Sequence, residues 1–382
     1  MGPRWRLGCG WITLFVVGTD LFIVSPLLPR IADQWGLSVS TAGLSVTVFS
    51  LTYLLGAPLF GQLADRFGRR RTLTACLLGF VVANFLTAAA TGFGWLLAAR
   101  IAAGAAASGV APSIYAGVGE AAPPARRASW MAIAVSGLLL ALSVGTPAGT
   151  VVASYLGWRS PFVVLGLLSV GLAAGNWLIW PADPRRGDSA VVRLPALNYW
   201  LLGRRMLPTV LWATALYGVY TYLGTWLTLG GASAGQIARA IGFYGAGALT
   251  GTLLGGQLAD RFGTRRTMTV SAAGLAAGLA ALGARAGSGV SVDILLLVLS
   301  VFAQFYFPAQ QSGLARDFPE RRALMMALNN SALFLGISLG SLIGGEAMAL
   351  SGFNANAGVC AVIAVLALVA IRASNPPARA AL

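Results

Sequence analysis

The sequence predicts an all-α membrane protein of twelve transmembrane helices, arranged as two pseudosymmetric six-helix bundles. Three observations carry that expectation: a charge-poor composition, apolar residues gathered in membrane-length blocks, and a long motif that recurs once at a fixed offset. Of the 382 residues, 57% are apolar and 10% charged, and the mean hydropathy is +0.77. Soluble globular chains are near half apolar and a quarter charged, so that class is excluded. Residues Thr72 to Thr91, Pro161 to Trp180 and Ala240 to Ala259 each run without a charge, about the length that crosses the hydrocarbon core as a helix.

Cutting the chain at charged or Gly/Pro-rich breaks gives spans 1 to 12 near residues 7–28, 41–63, 72–91, 95–119, 128–156, 161–180, 206–229, 240–259, 267–284, 294–315, 323–350 and 353–371. These cuts place 21 of the 26 basic residues on one side; Arg30, Arg159, Arg239 and Arg285 fall on the other, and Arg100 lies inside a span. By the positive-inside rule the Arg-rich side is cytoplasmic, and so are both termini. Arg4 and Arg6 before an apolar run resemble a signal peptide. That run contains Asp20 and is followed by no small-residue cleavage site, so it reads as an uncleaved first span. The polar stretch 181–205, with Pro181, Pro184 and Pro195, reads as a cytoplasmic linker between a bundle at 1–180 and one at 206–382.

Absences bound the chemistry. The chain has no His and no Lys, and Arg stays protonated, so a proton relay must use carboxylates. Cys9, Cys76 and Cys360 are far apart, which suggests neither a metal cage nor a disulfide framework. No metal or other cofactor is expected, and a membrane enzyme is disfavoured for want of a His, a metal cluster or a nucleophile elbow. The net charge of +15 sits in the loops and acts as a topology signal, so nucleic acid is not an expected partner.

Residues 61–74 read GQLADRFGRRRTLT and residues 256–269 read GQLADRFGTRRTMT, 12 identities in 14 at an offset of 195. The same offset carries Arg126-Arg127 onto Arg321-Arg322, and Gly145 and Gly149 onto Gly340 and Gly344. Six spans separate equivalent positions. An even number preserves orientation, so the halves are parallel repeats about an axis along the membrane normal.

The string Gly61-Gln62-Leu63-Ala64-Asp65-Arg66-Phe67-Gly68-Arg69-Arg70-Arg71, between spans 2 and 3, resembles the signature loop of the major facilitator superfamily. Gly137, followed by Gly145-Thr146-Pro147-Ala148-Gly149 in span 5, is similar to the antiporter motif of its twelve-span drug:proton antiporters. Arg100-Ile101-Ala102-Ala103-Gly104 resembles the family's proton-transfer motif, with Ala103 where a Gln is usual. Leu156-Gly157-Trp158-Arg159-Ser160-Pro161-Phe162 and Asn329-Asn330-Ser331 resemble the branch of sugar and arabinose effluxers. The resemblance implies the major facilitator fold. It also implies that Asp65 meets the start of span 11 near Ala323 and Asp260 the start of span 5 near Ser129, bridging the halves and closing the cytoplasmic side. A carboxylate beside a helix N-terminus gains about 0.3–2 kcal/mol, enough to bias a rocking equilibrium without locking it. Gly61, Asp65, Arg66, Gly68, Arg69 and Arg70, with Gly256, Asp260, Arg261, Gly263 and Arg265, form the expected gating loops; Arg70, Arg71 and Arg266 serve equally as topology signals. The glycines Gly137, Gly145 and Gly149 read as close helix packing through small residues, and Pro147 as a bend that shapes the cavity wall.

Within these cuts three ionisable residues fall inside spans: Asp20, Arg100 and Glu346. An ionisable group at the bilayer centre costs about 2.5–3.5 kcal/mol by insertion scales, so each is a functional candidate. The offset maps Asp20 onto Ala215 and Arg100 onto Leu295, so the pair serves something the fold itself does not require. Counting rise per residue puts Asp20 and Arg100 roughly 10 Å and 8 Å from the outer surface. Asp20 is the expected protonation site and Arg100 its modulator, because a neighbouring cation favours the charged carboxylate; a static ion pair tying spans 1 and 4 is the structural alternative. Glu346, near the outer end of span 11, is a second candidate, and Glu120 is expected to be solvated.

Candidate substrate contacts are Tyr115 in span 4, Tyr217 and Tyr220 in span 7, Gln304 and Phe307 in span 10, and Asn330 and Phe334 in span 11. Together with the resemblance they imply a monomeric, multi-pass inner-membrane antiporter that exports small amphipathic or drug-like molecules against protons. Export of sugars or other polar metabolites is the alternative.

Overall fold

The computed structural model describes residues 3–123, 127–181, 199–285, 289–318 and 322–374. Most of the expected linker, 182–198, lies outside them, as do the side chains of Asp65, Ser129 and Ala323. Apolar blocks become helices because lipid offers the backbone no other hydrogen-bond partner. The helices outrun the hydropathy cuts at the Arg-rich side in Pro3–Trp35, Val39–Phe67, Arg69–Ala88, Phe93–Ala121, Tyr199–Leu229, Ala234–Phe262, Thr264–Gly283 and Val290–Asp317, while span 6, Ser160–Ile179, ends one residue short of its cut. Span 7 therefore begins at Tyr199, within the stretch expected as linker.

The twelve spans are recovered only after one correction to a simple length count. Among the described residues nine helices are long and apolar enough to cross a membrane, the last being Leu324–Ala373. At 1.5 Å per residue that one helix would be about 75 Å long, more than twice the hydrocarbon core. Its path breaks at Ser351 (φ −149°) and Gly352 (φ 75°), so it is spans 11 and 12 joined by a corner. Tyr199–Leu229 and Thr264–Gly283 supply the remaining two. Their apolar signal is diluted in span 7 by Tyr and Thr and in span 9 by Arg, Thr, Ser and Gly.

The repeat is visible atom by atom at the signature loops. Gly68 (φ 91°, ψ 143°) ends span 2 and its N–H donates to the Ala64 carbonyl; Gly263 (φ 88°, ψ 147°) ends span 8 and donates to Ala259. Left-handed backbone at both positions explains the invariant Gly within the repeat. Two residues on, Arg70 donates to the Trp180 carbonyl at 3.4 Å and lies 3.9 Å over the Trp177 ring, tying the loop to the end of span 6. Its equivalent Arg265 donates to the Arg372 carbonyl at 3.1 Å, at the end of span 12. Arg69 pairs with Glu120. Glu120 is 58% exposed, in line with the expectation that it is solvated, and faces this cation on the adjoining loop.

Candidate functional site

The glycine file of span 5 positions the first element of the site. Cβ atoms built at Gly137, Gly145 and Gly149 would lie 2.4 Å from the Trp11 carbonyl oxygen, 2.0 Å from Thr19 Oγ1 and 2.6 Å from Ile23 Cδ1. Both sets of residues are spaced by eight and four, so spans 5 and 1 run parallel in register at backbone contact. A π-turn at Ala141–Gly145 precedes Thr146 and Pro147, and Thr146 Oγ1 donates to the Ala141 carbonyl at 3.2 Å. The irregularity expected from Pro147 is therefore a widened turn just ahead of it, where the proline removes a backbone donor. Pro147 and Ser143 face Gly242 and Gly245 of span 8 across the boundary between halves.

Asp20 sits next to Thr19 in this packed segment. Arg100 Nη1 donates to Asp20 Oδ1 at 3.0 Å and to Oδ2 at 2.9 Å, and the two side chains are 0% and 1% exposed. Phe49 lies under the guanidinium at 4.4 Å and Phe162 at 5.9 Å, while Arg100 Nε is buried without a hydrogen-bond partner. A buried pair so enclosed costs heavy desolvation, and removing one member leaves the other uncompensated. One and two turns further along the Arg100 helix, Gly104 and Ser108 pack on span 2 against Phe49 and Gly56.

Asp293 is a buried carboxylate that the hydropathy cuts left just outside the spans. It lies in the first turn of the span-10 helix, 3% exposed, and accepts from Arg239 Nε at 2.7 Å. Glu346, by contrast, is exposed. Asp293 stands one residue outside the apolar block, and the helix, which begins at Val290, continues past that block and buries it.

Among the described residues, contacts joining the halves gather at the membrane centre and on the side away from the signature loops. Ser25 Oγ reaches the Tyr220 and Thr221 carbonyls, the latter at 2.9 Å, and the Tyr220 hydroxyl donates to the Phe22 carbonyl at 3.3 Å. Ser341 Oγ donates to Gly43 O at 2.9 Å across the boundary, and within the second half the Tyr222 hydroxyl donates to Ser341 O at 2.8 Å. Nearer the centre, Tyr53 stacks on Phe334 at 3.7 Å between centroids and its hydroxyl faces Asn330, with Tyr115 close by.

A small cavity lies at this boundary, walled by Phe22, Ser25, Val46, Tyr217, Tyr220 and Ile337 among others. The structure thus brings Tyr115, Tyr217, Tyr220, Asn330 and Phe334 to the boundary between halves, and the Tyr217 hydroxyl faces Gln304. Phe307 stands apart, stacked on Trp212 at 6.1 Å. Sequence reasoning missed Phe22, Ser25, Tyr53 and Tyr244. A signal existed for the first two, since they are the positions 195 before Tyr217 and Tyr220. Of the gating residues, Asp260 is exposed at the end of span 8, Arg66 and Arg261 lie over Phe67 and Phe262, each at 5.3 Å, and Gly61 and Gly256 have open space around them.

Two six-helix halves closing on an aromatic cavity, with the fully buried Asp20–Arg100 pair in the first half, define a membrane transporter built from parallel repeats. The chain belongs to the Major Facilitator Superfamily, whose family profile matches residues 10–230 and 229–382. The MFS-type transporter YceJ of Bacillus subtilis is 30% identical over 381 residues, 95% of this chain and 94% of its own. A chloramphenicol resistance protein of Streptomyces lividans is 29% identical over 256 residues, 65% of either chain. A solved bacterial homologue of the human lysosomal transporter Spinster, inward-facing and occupied, superposes with a TM-score of 0.80 at 19% identity, covering 97% of this chain and 96% of that one. That last likeness speaks to fold.

Proposed function

We propose that the protein exports small amphipathic or drug-like molecules in exchange for protons by alternating access. The observation that carries this reading is the Asp20–Arg100 pair, buried at 2.9 Å where the second half has Ala215 and Leu295. A fold needing the pair for packing would need it twice. Residues 19–25 of span 1 hold Thr19 against Gly145, Asp20 against Arg100, and Phe22 and Ser25 against span 7. Protonation of Asp20 neutralises the carboxylate, releases Arg100 and loosens the segment that forms one side of the closed boundary; deprotonation restores it. One charge moving through 100 mV is worth about 2.3 kcal/mol, so a single proton drives appreciable accumulation.

The aromatic wall suits amphipathic solutes, and the similarity to a chloramphenicol resistance protein supports efflux. In this reading the Arg-rich side is cytoplasmic in an inner membrane, residues 1–180 and 206–382 are the rocking bodies, and the loops around Asp65 and Asp260 gate that side. Glu346, exposed near the outer end, is held in reserve as a proton site. Uptake into inverted vesicles under an imposed pH gradient, comparing a hydrophobic dye, chloramphenicol and a labelled sugar, tests the proposal. Gradient-driven dye or chloramphenicol uptake is expected. Uptake of sugar alone would favour the polar-metabolite alternative, and indifference to the gradient would defeat proton coupling.

A further inference from the structure

Span 1 carries Pro26 and Pro29 inside its helix. Proline has no N–H, so Pro26 leaves the Phe22 carbonyl without the donor that residue i+4 supplies in an unbroken helix. Buried carbonyls are nearly always paired, so the replacement donor is informative. Here it comes from the other half: the Tyr220 hydroxyl of span 7 donates to the Phe22 carbonyl at 3.3 Å. Both residues are buried. One turn further out, a Cβ on Gly224 would lie 2.5 Å from Pro26 Cα, so spans 1 and 7 meet at backbone contact just beyond this bond and shelter it from the outer side.

The repeat shows that the fold does not require this arrangement. The offset of 195 carries Phe22 onto Tyr217 and Pro26 onto Thr221. Thr221 keeps its backbone N–H, and its hydroxyl also donates to the Tyr217 carbonyl, at 2.7 Å within span 7. Ser25, the counterpart of Tyr220, reaches the Tyr220 and Thr221 carbonyls instead. Of two equivalent carbonyls, one is therefore served by its own helix and the other depends on a hydroxyl from the opposite half. Parting of the halves takes nothing from Tyr217 and strips Phe22 of its donor.

We propose that Pro26, the Phe22 carbonyl and the Tyr220 hydroxyl form a latch that holds the halves together on the side away from the signature loops, with Tyr220 as its positioning residue. The proline makes the carbonyl available, and the tyrosine converts that vacancy into a bond between the halves. The inference rests on the reading that the halves part by alternating access, but not on proton coupling or on the nature of the cargo.

The test is a double-mutant cycle on the full chain in nanodiscs. Cys9, Cys76 and Cys360, all buried, are replaced by Ala, and spin labels are placed at the exposed Asp33 and Leu229, at the outer ends of spans 1 and 7. Tyr220→Phe keeps the ring but strands the Phe22 carbonyl in the closed form, so the population with widely separated labels should rise about tenfold. Pro26→Ala returns a backbone N–H to Phe22 within its own helix. In that background Tyr220→Phe should change the population by no more than about twofold, although the hydroxyl still leaves the Thr146 side chain that it also faces. No shift with Tyr220→Phe, or an equal shift with and without Pro26, overturns the latch. A separation that responds to pH or cargo but not to Tyr220→Phe keeps alternating access and removes the latch. Coupling in this cycle, in a protein whose transport ignores a pH gradient, keeps the latch and removes the antiport mechanism.

Discussion

Phe22 and Tyr217 stack with centroids 6.4 Å apart and rings 6° from parallel, and they are the same position in the two halves, 195 residues apart. Ser25 and Tyr220 stand in the same relation, with the Ser25 hydroxyl donating to the Tyr220 carbonyl. A residue can touch its own equivalent only on the pseudo-twofold axis, so the cavity cluster is centred where the two bundles meet. Position 22 carries Phe where position 217 carries Tyr, so at this pair only the second half brings a hydroxyl to the axis.

Asp20→Asn is expected to abolish transport driven by a pH gradient and any substrate-induced proton release, while binding persists, because Asn keeps the volume and removes only the titration. Arg100→Ala removes the group that favours the charged carboxylate, so coupling should shift to higher pH. A purely structural pair predicts otherwise: each single variant loses about 3–5 kcal/mol of stability, and the double variant regains both stability and transport. Gradient-driven uptake by the double variant in vesicles decides between them, and its recovery moves the search to Glu346.

Ser341→Ala removes the hydroxyl that reaches Gly43 across the halves. Loss of one such hydrogen bond, about 1 kcal/mol, should raise the population open on the side away from the signature loops by about fivefold. Spin-label distances between spans 2 and 11 at that end would report the shift; an unaltered distribution would remove Ser341 from the closure.

Gly145→Ala places a methyl 2.0 Å from Thr19 Oγ1 and should destabilise the protein by about 1–3 kcal/mol, read as a lowered thermal midpoint. Combining it with Thr19→Ala should recover part of the loss, because the clashing hydroxyl is gone. Failure of that rescue would mean the file of glycines is not set by contact with span 1.

Asp65→Asn is expected to slow transport and leave substrate binding largely intact, since Asp65 lies at the end of span 2, away from the cavity. Gly68→Ala, which forces a side chain into left-handed backbone at φ 91°, should cost about 1–2 kcal/mol and slow transport too. Normal turnover of a correctly inserted Asp65→Asn protein would end its gating role.

Hydropathy, arginine placement and the 195-residue repeat determined the twelve spans, their pairing into halves and the special status of Asp20 and Arg100, because each of these is a one-dimensional regularity imposed by the bilayer. Even the axial contacts were latent in the offset, since Phe22 and Ser25 precede Tyr217 and Tyr220 by 195. Tertiary structure alone decided which face each helix turned inward. It buried Asp293 against Arg239, set Phe307 on Trp212 away from the cavity, turned Gly104 and Ser108 toward span 2, and left the Tyr244 hydroxyl without a partner. Inside a membrane both faces of a helix are apolar, so the periodicity that reveals a buried face in water is nearly silent here. Burial was settled instead by close backbone approach at glycines, a property of two helices together.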